Sequence, residues 1–152
     1  MKDKFEEIID KLPNLLEQLK NSPSKNRDTL GTLPQKGIYV FYEKKCPVYV
    51  GRSNRIKERL QEHSRPSSTH TSATFAFNLA KEDAIKNGMD VNNKTRAHLE
   101  NDSAFSSLYT ETKERVSKMS IKVIEIDDPI IQTIFEVYVS VQFNTFNDFD
   151  TH

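Results

Sequence analysis

A switch in hydrophobic period at Gly37 constrains the fold of this chain more than any other feature. Upstream, apolar residues recur every three or four positions; from Gly37 onward they alternate. Ile38, Val40 and Tyr42 fall on one side of an extended segment, and Tyr39 and Phe41 on the other, which is strand patterning. Glu43-Lys44-Lys45 is a polar turn, and Val48-Tyr49-Val50 resumes the pattern, so the region reads as a β-hairpin. Pro47 cannot donate to a ladder, which puts the start of the second strand on an edge or outside the ladder. If Tyr42 opposes Cys46, Tyr39 lies directly across from Tyr49 and both rings stand on one face. Gly51, at the strand end, lets a phosphate or a neighbouring backbone come close.

The elements around the hairpin follow from the same patterning. Phe5, Ile8, Ile9, Leu12, Leu15, Leu16 and Leu19 mark one face of a helix from about Asp3 to Lys20, which Pro13 should kink or divide. The polar stretch 21–26 ends it. Ser53 can cap a helix from Asn54 to about Ser64, with Ile56, Leu60 and His63 on one face. After a Ser/Thr-rich loop, residues 73–87 read as a helix closed by Gly88, and 94–118 as helical with a break near Asn101-Asp102. Residues 120–126 alternate as a third strand. Asp128-Pro129 is a helix cap with a first-turn proline and opens a last helix to about Phe143. The order gives an α+β (α/β sandwich) class: a small, mainly antiparallel three-stranded sheet flanked by helices. Residues 1–35 form an N-terminal helix and linker, and 36–152 the main domain, with a helical insertion at about 70–118.

Composition narrows the function classes. The 22 basic residues balance 22 acidic ones, which excludes nucleic-acid binding by bulk charge and leaves only a local patch. The single cysteine, Cys46, excludes an internal disulfide and a cysteine-based zinc site, and points to a reducing compartment. No apolar run approaches membrane-spanning length, and the N-terminus leads into an amphipathic pattern instead of a signal peptide. The expectation is a cytoplasmic protein, monomer or homodimer, the latter through the N-terminal helix.

Glu136 is the clearest chemical anomaly, being the only charged residue between Pro129 and Phe146. A carboxylate on so apolar a helix is costly unless a cation or strong donors meet it. It either lies on a narrow solvent stripe or in a structural pair with an arginine, or it holds a divalent ion through hard oxygen ligands. Arg59 and His63, four apart, project from one helical face, and Arg52 and Arg55 extend that basic surface towards the helix start. An arginine cluster at a helix N-terminus attracts phosphate, although Arg59 paired to Glu58 or Glu62 on a solvated helix fits equally. His70, in the Ser/Thr loop, is a surface histidine or lines a substrate cleft.

Gly37-Ile38-Tyr39 followed by Tyr49-Val50-Gly51, with ten positions from tyrosine to tyrosine, resembles the signature of the GIY-YIG nucleases. Valine stands where isoleucine is commoner. Arg59 is similar in placement to the family's arginine, His63 to its frequent histidine, Glu136 to its metal-binding glutamate and Asn147 to its closing asparagine. The resemblance spans roughly 36–65 and 120–150. It implies a metal-dependent endonuclease acting on DNA, with RNA not excluded, and Mg2+ or Mn2+ held by Glu136. It also implies catalytic roles for Tyr39, Tyr49, Arg59, His63, Glu136 and Asn147, with Gly51, Arg52, Arg55 and His70 as phosphate contacts. Tyr39 and His63 are both candidates for the general base. The alternative is a catalytically silent nucleic-acid-binding or protein-interaction module on the same scaffold. The catalytic reading requires both tyrosines to share a face with Glu136, Arg59 and His63.

Overall fold

The structure, a computed structural model, describes residues 1–69 and 73–145. Contacts divide the chain into two units, Met1–Lys57 with Ser120–His152, and Glu58–Met119.

The first unit is built on the hairpin. Strands β1 (Gly37–Glu43), β2 (Cys46–Ser53) and β3 (Ser120–Glu125) form one antiparallel sheet in the order β2-β1-β3, as the patterning predicts. The turn is tighter than expected: only Lys44 and Lys45 lie between the paired Glu43 and Cys46, both at positive φ (52° and 68°). That is the backbone twist two-residue hairpins favour. A bulge between Phe41 and Tyr42 then leaves Val48 without a partner in the ladder, beside Pro47 on the edge strand β2. Tyr39 therefore faces Gly51, and Phe41 faces Tyr49, which corrects the expected Tyr39–Tyr49 pairing. The tighter turn and the bulge each move the register by one. Their sum is even, so sidedness survives and both tyrosines stay on one face.

Both motif glycines answer to close approach. A side chain at Gly37, whose φ is 156°, would collide with the Ile124 carbonyl of β3. One at Gly51 would overlap the ring and hydroxyl oxygen of Tyr39.

Helix α1 (Lys4–Lys20) runs through Pro13 without dividing. Pro13 lies on the exposed side, so the backbone carbonyl that loses its partner there faces water. Ile8, Leu12, Leu16 and Leu19 are buried, whereas Phe5 and Ile9 stay exposed. Leu12, Leu16 and Leu19 join Ile38, Val40, Val50, Ile124, Ile126, Phe135 and Val139 in one core. Each such side chain contributes roughly 1.5–3 kcal/mol on burial. The linker is also structured: Lys25 bridges to Ile121 on β3, through bonds of 2.8 and 2.7 Å. Helix α6 (Pro129–Gln142) begins as predicted, with the Asp128 carboxylate accepting from Ile130 N and Ile131 N at 2.8 and 3.2 Å.

Helix α2 (Ile56–Ser64) starts two residues later than expected, because β2 continues to Ser53. Ser53 Oγ instead closes a turn by accepting from Arg55 N at 2.9 Å. The second unit contains most of α2 with α3 (Thr74–Lys86), α4 (Arg96–Asn101) and α5 (Ser103–Ser117). The break at Asn101-Asp102 falls where predicted, and Asp102 caps α5 by accepting from Ala104 N and Phe105 N. Phe77, Phe105 and Tyr109 form its aromatic centre, with ring centroids 5.2 to 6.5 Å apart. Among the described residues no helix is long and apolar enough to cross a membrane.

Candidate active site

The two motif tyrosines meet on one sheet face. Tyr39 and Tyr49 are 6.5 Å apart by ring centroid, with Phe41 at 5.9 Å from the first and 6.3 Å from the second. All three are buried. The phenol of Tyr39 lies across Gly51, so the last residue of the second tripeptide is the floor on which the first tyrosine rests. The spacing in the sequence thus has a steric cause. Only a residue without Cβ fits beneath that ring.

Glu136 is buried on α6, at 5% exposure. Its helix presents two stripes. Phe135 and Val139 pack into the core with Ile38, Val40 and Val50, on the face opposite Tyr39 and Tyr49. Gln132, Glu136 and Ser140, at successive intervals of four, form a buried polar stripe beside it. Gln132 ties that stripe to the end of β2: its Oε1 accepts from Arg52 Nη1 at 3.4 Å, and its Nε2 donates to Asn54 Oδ1 at 3.3 Å and to the Ile126 carbonyl. The polar stripe thus reaches the sheet at the end of β2, an edge strand that also carries Tyr49 and Gly51.

Arg52, expected as a phosphate contact, is half-buried and bonded to Gln132, one helical turn before Glu136. Gln132 and Asn54 were not expected at all. The period-four run of polar residues at 132, 136 and 140 in an apolar helix is the signal that marks Gln132; nothing in the sequence marks Asn54. Arg55 is exposed.

Arg59 and His63 belong to the second unit's part of α2. Arg59 Nη1 bonds Glu62 Oε2 at 3.1 Å, both side chains being about one-fifth exposed (21% and 18%), so the structure has the arginine–carboxylate pair foreseen as the plainer alternative. His63 is fully buried, and burial, helped by the Arg59 charge, holds its pKa well below the usual imidazole value. It is neutral at pH 7, the state in which an imidazole can accept a proton. His70 and Asn147 lie outside the described residues.

A divalent ion would find one oxygen-rich carboxylate here. Among the described residues no group of three or more His, Cys, Asp and Glu could hold a metal. Mg2+ is commonly bound through one or two carboxylates, with water and substrate oxygens completing its shell, so Glu136 alone is compatible with it.

An α+β sheet whose hairpin lays one tyrosine over a strand glycine, beside a second tyrosine, defines the class. The chain belongs to the GIY-YIG family: the model of the GIY-YIG catalytic domain matches residues 35–144, more than two thirds of its 152 residues. Comparisons with curated proteins and with solved structures gave no match.

Proposed function

We propose that the protein is an endonuclease that hydrolyses phosphodiester bonds of DNA with one divalent cation, Mg2+ or Mn2+. The observation that carries this reading is the intact tyrosine pair on the hairpin, held by the Gly51 floor, in a chain that also keeps a buried carboxylate at Glu136.

Glu136 holds the cation in this reading, and Gln132 and Arg52 fix the polar stripe on which it stands. Bound there, the cation would polarise the scissile phosphate and offset charge on the leaving oxygen. Arg59 takes the non-bridging oxygens as their charge builds, once its guanidinium exchanges Glu62 for phosphate. Tyr49 orients water or phosphate. Tyr39 is assigned the proton of the attacking water, and His63 is the competing base. Asn147 bonds a phosphate or a neighbouring side chain, and Gly51, Arg55 and His70 complete the phosphate contacts.

A plasmid-nicking assay with Mg2+ and with chelator tests the activity. Glu136→Gln is expected to reduce cleavage to background while the thermal transition is kept; full activity in that variant sinks the metal assignment. No metal-dependent nicking by the parent chain on plasmid, branched DNA or RNA would favour the silent module. The base question has its own readout. A phenol titrates near about pH 10, so Tyr39 as base gives a rate that climbs into the alkaline range. His63 as base gives an acid limb well below about pH 6.5, in the direction of its shift.

A further inference from the structure

A second site of a different kind lies on the other face of the sheet. Ser24, Tyr42, Lys45, Ser120 and Lys122 line an open recess of about 360 Å3 within the first unit, inside the range of roughly 300–1,000 Å3 typical of small-ligand sites. Ser120 pairs with Tyr42 and Lys122 with Val40 across β1 and β3. Tyr42, Ser120 and Lys122 thus stand on the face that carries Ile38 and Val40, opposite Tyr39 and Tyr49.

The lining has one chemical character. It offers two ammonium groups, two aliphatic hydroxyls and a phenol, and no carboxylate. Lys122 is held in place before any ligand arrives. Its Nζ donates to the Lys20 carbonyl at 2.6 Å and sits 5.4 Å from the centroid of the Tyr42 ring. An ammonium has three donors, so two are left for a ligand. Burial raises the pKa of Tyr42 above the ordinary phenol value, so its hydroxyl stays protonated and can donate. Lys45 sits in the hairpin turn, exposed, where its side chain can close over the recess mouth. A neutral sugar would leave the two ammonium charges unmatched. A phosphate group supplies both the charge and enough acceptor oxygens for the whole set.

We propose that this recess is a phosphate-binding site, separate from the tyrosine face, that takes the phosphate of a nucleotide, either free or within a strand. It does not depend on the chain being a nuclease. In a nuclease it would grip a phosphate other than the one cleaved.

The test is a 1H–15N NMR titration of the full chain in chelator, with inorganic phosphate, a 5′-mononucleotide and a short single-stranded oligonucleotide in turn. Saturable shifts are expected at Ser24, Tyr42, Lys45, Ser120 and Lys122. Saturation by the mononucleotide alone assigns a free ligand; tighter saturation by the oligonucleotide assigns a strand. Lys45→Gln combined with Lys122→Gln should weaken binding at least about tenfold, as expected for loss of two charge-assisted contacts. Lys45→Gln alone, in an exposed turn where folding is not at stake, should weaken it several-fold. The proposal is overturned if none of the three probes gives saturable shifts at these residues. Shifts confined to the tyrosine face, or affinity unchanged in Lys45→Gln and in the double variant, overturn it as well.

Discussion

Met1–Lys57 with Ser120–His152 and Glu58–Met119 each enclose ionisable side chains, but on different backgrounds. In the sheet unit Glu136 is buried on the apolar segment Ile134-Phe135-Glu136-Val137-Tyr138-Val139. In the helical unit Lys113 is buried on the charged segment Thr110-Glu111-Thr112-Lys113-Glu114-Arg115. Lys113 Nζ donates to the Pro66 carbonyl at 2.6 Å and the Ser68 carbonyl at 3.1 Å, over the Tyr109 ring at 4.3 Å. The Tyr109 hydroxyl donates to the same Ser68 carbonyl. Lys113 is thus a strut that ties α5 to the loop after α2. The contrast teaches that a buried charge is visible in a sequence only against an apolar background. Glu136 could be singled out before the fold was known, and Lys113 could not.

The two units also differ in how they fill space, and that difference can be broken by mutation. The helical unit relies on a few rings packed with Ala76, Ala80 and Ala84. Phe105→Ala should cost about 3–5 kcal/mol, the largest effect expected here. Hydrogen exchange should show lost protection over α3 and α5 while β1, β2 and α6 keep theirs; equal loss everywhere would show that the units unfold as one. The sheet unit is instead vulnerable to addition. Gly51→Ala forces a methyl against the Tyr39 ring and should cost about 1–3 kcal/mol, with loss of whatever activity needs that phenol. Adding Tyr39→Ala should recover part of that stability, because the clash is gone. Strictly additive costs in denaturant melts would refute the floor model.

How much of this was legible follows from the same physics. Hairpin, third strand, capped α6 and the break at Asp102 all come from local rules, namely period, caps and proline placement, and all four appear. The register did not, because loop length and the unpaired Val48 are set by how twist is relieved, not by side-chain pattern. Glu136 and the tyrosines were legible as residues, but the orientation of α6 was not. Which stripe of α6 turns towards β2 depends on packing by Phe135 and Val139, and both stripes are compatible with the sequence. Gln132–Arg52, 80 positions apart, has no local trace at all.

A pH series sharpens the comparison at lower cost. Burial, with Arg59 beside it, depresses the pKa of His63 in the folded chain, whereas unfolding returns it to about 6.5. Between those two values the unfolded state binds the extra proton, so stability is fully present above about pH 6.5 and is lost as pH falls below it. The melting temperature should therefore drop from pH 7 towards pH 5, and His63→Gln should flatten the drop. A wild-type profile flat over that interval would mean that the imidazole can protonate where it sits, in conflict with its burial.

The smallest effect expected returns to the hairpin turn and runs in the opposite direction. Lys44 and Lys45 both hold positive φ, a region where a β-carbon costs of order 1 kcal/mol per residue. Two-residue turns of this hand favour glycine at the second position. Lys45→Gly removes that strain but adds freedom to the unfolded chain, and the two terms partly cancel. The net should be a gain of about 0.5 kcal/mol, seen as a small rise in denaturant midpoint with an unchanged slope. Lys44→Asn should act in the same sense and more weakly, since asparagine tolerates this conformation but keeps its β-carbon. Both substitutions belong to the sheet unit, so protection over α3 and α5 should stay as it is. A midpoint that falls in Lys45→Gly would mean that the lysine makes contacts worth more than the strain, and the phosphate recess beside it is where those contacts would be sought.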